Sequence, residues 1–178
     1  DRDLWRGVAE LGWAGAAIPE AYGGVGLGHV GLCALAEELG AALAPIPFAS
    51  SVYLAAEALL LAGSEAQKSR WLPKLASGEV IASFSITEPQ AGSDLKRLEC
   101  GARVGGDGIG GGLILNGRKR WVAGGLSADV VFLLAMVDGT DRPSCVILPA
   151  AGRGSESWRM AELDKTGYRG VESAVFTF

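Results

Sequence analysis

Leu75-Ala76-Ser77-Gly78-Glu79-Val80-Ile81-Ala82-Ser83-Phe84-Ser85-Ile86 is the stretch at which the hydrophobic period of this 178-residue chain changes. Upstream of Gly78 apolar residues recur at helical spacing; downstream they come in short runs bounded by turn residues. Working back from it, Ser64 and Gln67 form a Ser-x-x-Gln capping box that opens a helix. Pro73 is expected to break or kink that helix near its end, because proline donates no N–H and crowds the preceding turn. Before it, a helix from about Ser50 to Ala62 stops at Gly63. Leu32, Leu35, Leu39 and Leu43 mark one face of an earlier helix closed by Pro45 and Pro47. Leu4, Val8 and Leu11 mark the first, which ends at Gly12.

Working forward, Val80 to Ile86 forms a buried strand, and Val130 to Val137 and Cys145 to Leu148 are apolar strands separated by the turn-rich Asp138 to Pro143. Leu113-Ile114-Leu115 and Trp121-Val122 flank Asn116-Gly117, a hairpin signal. Ser173 to Phe178 is a last strand with no closing turn. Helices first and strands second predict an α+β chain, a helical domain over 1–78 followed by a β domain over 79–178. Parallel βαβ winding is disfavoured, since no helix separates the later strands.

Composition excludes several classes. Net charge is −4, and the densest basic run, Arg118-Lys119-Arg120, is explained by an exposed strand end, so no nucleic acid is expected. The longest fully apolar run, Val130 to Val137, is far short of the roughly 20 residues of a spanning helix. The chain opens on Asp1-Arg2-Asp3, without a signal peptide or a methionine, so its start reads as a boundary within a longer protein. Three widely spaced cysteines, Cys33, Cys100 and Cys145, argue against a disulfide framework and for a reducing, cytoplasmic setting. No metal site is expected: the single histidine, His29, has no partner at ligand spacing and reads as structural or solvent-facing. Glu37 and Glu38 read as a solvated helix face. Gly106 to Gly111 matches G-x-G-x-x-G, but a strand follows where a helix should, so it is taken as a glycine-rich turn.

Two segments remain. Thr87-Glu88-Pro89-Gln90-Ala91-Gly92-Ser93-Asp94 follows a buried strand directly. Either it is a polar turn, or Gly92 adopts positive φ and lets neighbouring N–H groups converge on an anion, with the Ser93 hydroxyl beside them. In Lys119-Arg120-Trp121-Val122-Ala123-Gly124-Gly125, Trp121 is either a core tryptophan or a ring against which a flat aromatic ligand packs beside open backbone.

Together these segments resemble the acyl-CoA dehydrogenase family. Its T-E-P-x-A-G-S-D signature is complete at Thr87 to Asp94, and its N-G-x-K-x-W-[IV] stretch matches Asn116 to Val122. Ile18 to Leu27, Gly63 to Lys68 with Trp71 to Glu79, and Asp164 to Gly170 are similar to further family segments in the same order. The resemblance implies a mainly antiparallel β-barrel for the second domain, FAD as cofactor and an acyl-CoA thioester as substrate. Phe84 to Ser93 would line FAD: Ile86 and Thr87 at the flavin ring, Gly92 and Ser93 near the pyrophosphate, with Ser93 also near the acyl-CoA. Trp121 would pack on the isoalloxazine, with Val122 and Ala123 beside it. The implied reaction is α,β-desaturation, in lipid metabolism, with hydride passing to flavin N5 and an electron-transfer flavoprotein as acceptor, in a dimer or tetramer of like or unlike chains. The implied base, a glutamate of a C-terminal helical bundle, would follow Phe178, so no residue of this chain is assigned a catalytic role; Glu88 is not a substitute.

One departure bears on function. The family often carries Thr or Ser where this chain has Ala123, and losing that hydroxyl's hydrogen bond costs about 0.5–1.5 kcal/mol. This departure motivates one alternative, a catalytically silent partner subunit of a heteromer; a relative that uses oxygen as an oxidase or monooxygenase is a separate alternative.

Overall fold

The first helix, α1 (Arg2–Glu10), begins at the Asp1 carboxylate, which accepts the amides of Asp3 and Leu4 at 3.0 Å each. Its buried face is Trp5 and Val8, while Leu4 and Leu11 stay exposed. Of the expected face Val8 alone is buried, and the two leucines are misplaced. Trp5 has more apolar area to bury, and its indole N–H finds the Gly78 carbonyl at 3.1 Å. Helix α2 (Gly28–Ala41) buries Leu32 and half-buries Leu35 and Leu39, but ends before Leu43, which is 79% exposed at φ 48°.

The expected third helix is wound in two ways, a π-helical segment Ala49–Ala56 running into α3 (Glu57–Ala62). Ser64 opens α4 (Glu65–Ala76) with both bonds of the capping box. Pro73 does not end α4. Leu72, Leu75 and Ala76 are buried and hold the last turn, and the Pro73 carbonyl still accepts the Ser77 amide at 3.0 Å.

The computed structural model describes residues 1–105, 112–152 and 154–178, so the Gly106 to Gly111 turn lies outside the described residues. It forms two units, Asp1–Ser83 with Thr166–Val171, and Phe84–Lys165 with Glu172–Phe178. The helical unit packs around Trp5, Val8, Ile46, Phe48 and Val52. The buried Ser51 hydroxyl accepts the Ala82 amide at 2.9 Å and donates to the Ala82 carbonyl at 3.1 Å. Among the described residues no helix is long and apolar enough to cross a membrane.

The strands are β1 (Ala82–Ser85), β2 (Gly101–Val104), β3 (Leu113–Asn116), β4 (Arg118–Ala123), β5 (Val130–Val137), β6 (Pro143–Pro149), β7 (Arg159–Glu162) and β8 (Ser173–Thr177). One sheet runs β1-β5-β2-β3 with β6 also on β5, and the other runs β4-β8-β7. β2 with β3, β5 with β6, β4 with β8 and β7 with β8 pair antiparallel, and β2 with β5 pairs parallel. The α+β class holds, but the strands form two open sheets and do not close into a barrel.

The point where closure fails is also where the hairpin expectation fails. β3 pairs with β2, and β4 pairs with β8, so Asn116-Gly117 passes the chain from one sheet to the other. Gly117, at φ 143°, lies where a Cβ would stand 2.8 Å from Cα of Cys100. Its amide and carbonyl exchange hydrogen bonds with Phe178, which starts the β4/β8 ladder instead of a two-residue turn.

The core of this unit gathers Val122, Val131, Leu133, Trp158, Phe176 and Phe178. Phe176 meets Trp158 edge-on at 5.6 Å between ring centroids. The Phe176 ring also explains Gly125: a Cβ there would come within 2.7 Å of it and 2.9 Å of Val122. This glycine makes room for a core ring and not for a ligand. Gly125→Ala is expected to destabilise the chain by about 1–3 kcal/mol, read as a lower urea midpoint.

Candidate functional site

Strict strand alternation would place Trp121 on the same face as Lys119. Instead Lys119 and Val122 are buried, and Arg120 and Trp121 between them are exposed. A register shift in the β4/β8 pairing between Lys119 and Val122 adds the extra residue. Trp121 absorbs it at φ 60°, and its indole is turned outward, 52% exposed. A left-handed conformation for a bulky residue costs on the order of 1–3 kcal/mol and persists where the surroundings enforce it. The Arg120 guanidinium lies 5.0 Å from the indole centroid.

The neighbouring amide ties this strand to the loop after β1: Arg120 N–H donates to the Thr87 carbonyl at 2.8 Å. The loop itself closes through reciprocal bonds between Glu88 and Ala91, at 2.7 and 3.2 Å. Ile86 and Thr87 are half-buried, and the Thr87 hydroxyl has no hydrogen-bond partner among the described residues. Phe84 is half-buried at the end of β1. Gly92 and Ser93 are exposed, and Gly92 does not adopt the positive φ that the anion-holding reading of this loop requires. A Cβ at Gly92 would meet nothing within 4 Å, so this glycine serves open space rather than a strained turn. Val122 sends its side chain into the core, leaving only its backbone toward the site, and Ala123 is exposed. The turn that follows is pinned by Glu172, whose carboxylate accepts the amide and hydroxyl of Ser127 at 2.8 and 2.6 Å.

Beneath the loop lies a pair that sequence reading placed wrongly. Lys119 is wholly buried, not part of an exposed strand end. Its ammonium donates to Glu88 Oε1 at 2.8 Å and to the Ile86 carbonyl at 2.9 Å. Glu88 also accepts the amides of Cys100 and Glu99, at 3.0 and 2.8 Å, and Gln90 Nε2 at 2.7 Å. No local signal marked the burial of Lys119, since strand alternation assigns Lys119 and Trp121 to one face.

Burial alone would push the Glu88 carboxyl up, but Lys119 and the Glu99 and Cys100 amides outweigh it and hold it below the usual carboxylate range. A carboxylate depressed on folding stabilises the fold above its unfolded pKa, near roughly 4.3, and that contribution is lost as pH falls through the folded value. The wild-type chain should therefore lose stability on acidification below about pH 4 more steeply than Glu88→Gln, compared as urea midpoints across pH.

The helical unit holds a separate hollow of about 160 Å³ among Leu39, Leu43, Ile46, Phe48, Tyr53 and Tyr168. Its lining is mostly apolar, and none of Phe84, Ile86, Thr87, Gly92, Ser93, Trp121, Val122 and Ala123 lines it.

Residues 1–79 match the model of the acyl-CoA dehydrogenase N-terminal domain, and residues 83–178 that of the middle domain. The chain belongs to the acyl-CoA dehydrogenase family. It is 33% identical to the mitochondrial isovaleryl-CoA dehydrogenase of Arabidopsis thaliana over 100% of this chain and 43% of that protein. The crystal structure of the acyl-CoA dehydrogenase from Geobacillus kaustophilus superposes with a TM-score of 0.87 at 26% identity, covering 100% of this chain and 47% of that one. An acyl-CoA dehydrogenase from Bacillus anthracis, solved in complex with FAD, matches at 31% identity and a TM-score of 0.80, over 98% of this chain and 30% of that one. The chain thus spans less than half the length of these acyl-CoA dehydrogenases.

Proposed function

We propose that this chain supplies the flavin-facing part of an FAD-dependent acyl-CoA dehydrogenase. The observation that carries the reading is the 2.8 Å hydrogen bond from Arg120 N to the Thr87 carbonyl, beside an indole turned outward by strained backbone. The residues present fit a flavin. Trp121 offers an exposed ring, the Thr87 hydroxyl is unengaged among the described residues, and the open space at Gly92 admits a bulky ligand group. Ile86, Thr87 and Trp121 would hold the ring system, and Gly92 and Ser93 the phosphate end. When bound, FAD supplies the hydride acceptor for desaturation of an acyl-CoA thioester. Ser93, exposed on the same loop, would contact the acyl-CoA. Electron-transfer flavoprotein is the proposed acceptor, in an oligomer of two or four chains. Three unpaired cysteines suit a reducing compartment, which we take to be the cytoplasm.

The test is the full-length polypeptide. It should be purified with about one FAD per chain, and its visible absorbance should bleach when an acyl-CoA is added under nitrogen. Branched short-chain thioesters come first in the panel because the Arabidopsis relative is named for isovaleryl-CoA. Trp121→Ala should weaken FAD binding up to roughly tenfold, the scale of one aromatic stack. A full-length protein that neither holds nor binds added FAD would end the reading.

A further inference from the structure

We propose that Glu88 and Lys119 are positioning residues for the flavin site, holding Thr87 and Trp121 in fixed relation across the gap between the β1 loop and β4. The proposal rests on the flavin reading above and assigns the buried pair a part in it.

The geometry is more specific than a stray ion pair. Lys119 donates to Ile86 on one side of Thr87 and to Glu88 on the other, at 2.9 and 2.8 Å. Between those two anchors the Thr87 carbonyl receives the Arg120 amide at 2.8 Å. The residue proposed to face the flavin from the loop is therefore bracketed by a single lysine. The next residue along β4 after Arg120 is Trp121, whose left-handed backbone needs enforcement from its surroundings. Glu88 extends the clamp to a third segment through the Glu99 and Cys100 amides.

Buried ion pairs are weak sources of net stability, because desolvation offsets most of the attraction. Their bonds are directional, however, and an apolar pair of similar volume could fill this space without setting the register of Thr87 against Trp121. Stability and flavin binding should therefore separate when the pair is replaced by neutral groups.

The decisive variant is the double substitution Glu88→Gln/Lys119→Met in the full-length polypeptide. It removes both charges together and leaves an amide oxygen for one of the Glu99 and Cys100 N–H groups, which bind different oxygens of the Glu88 carboxylate. The readouts are the FAD dissociation constant, the visible flavin spectrum, the flavin reduction potential and the melting temperature. A positioning role predicts a double variant more stable than Lys119→Met alone. Its FAD affinity should still be weaker on the order of tenfold or more, the scale of misplacing a binding group by a fraction of an ångström, and its flavin spectrum and potential should be shifted. Val146→Ala, a core change in the same unit, is the control; it should lower the melting temperature and leave affinity and spectrum unchanged. Should the double variant not fold, Lys119→Arg keeps the charge and is expected to fold while weakening FAD binding, since a guanidinium cannot seat between Ile86 and Glu88 without moving the loop.

A folded variant that binds FAD as tightly as wild type, with an unchanged spectrum, overturns the positioning role while leaving the flavin reading intact. So does Val146→Ala losing as much affinity at equal loss of stability. A wild-type polypeptide that binds no FAD overturns both.

Discussion

Lys119→Met should cost about 3–5 kcal/mol of unfolding free energy, the range for removing one partner of a buried ion pair. The ammonium is wholly buried and the carboxylate it meets is 4% exposed, so no solvent stands ready to take over. Without it the Ile86 carbonyl loses a donor, and Glu88 keeps its charge with only the Gln90, Glu99 and Cys100 donors. Thermal and urea unfolding should agree, with a fall of roughly 4–8 °C in melting temperature per kcal/mol for a unit of this size. Combining Lys119→Met with Glu88→Gln should destabilise by less than the sum of the single changes, a coupling that a double-mutant cycle measures directly. A loss below about 1 kcal/mol would mean that the pair is solvated in solution.

Phe176→Ala should be comparably severe, about 3–5 kcal/mol, because the ring is wholly buried and its removal leaves a cavity that packed neighbours refill only in part. Phe176 sits on β8, the central strand of its sheet, edge-on to Trp158 at 5.6 Å and to Phe178 at 6.1 Å. It also covers the place where Gly125 lacks a side chain. Phe176→Leu, which keeps most of the volume, should cost markedly less. Equal losses for the two substitutions would show that the ring's shape, and not the volume it fills, is what the core requires.

The order of elements was legible because it depends on local periodicity and on short-range punctuation. Ser64 with Gln67, Gly63 and the change of period after Gly78 each act within a few residues, and the chain obeys them. Failures came where a partner distant in sequence outbid a local signal. Asn116-Gly117 has hairpin chemistry, yet Phe178 takes its backbone groups and Cys100 crowds it. Pro73 should interrupt a helix, yet the burial of Leu72, Leu75 and Ala76 carries α4 past it. Leu4 and Leu11 share helical spacing with Val8, yet Trp5 joins Val8 on the buried face and both leucines stay exposed.

The candidate site divides in the same way. Residue types drew attention to Thr87 to Asp94 and Trp121 but left a polar turn and a core tryptophan open, and the match to a family signature in order pointed to a flavin site. Nothing local in the chain could say that Trp121 points outward while Lys119 points in, since strand alternation assigns both to one face. That choice is made by a bulge against β8 and by a carboxylate 31 residues upstream. Composition and spacing suffice for contacts between near neighbours. The direction in which a side chain leaves its strand is set by partners brought in from elsewhere in the fold, because a lysine is buried only where a distant anion and carbonyl wait to receive its charge.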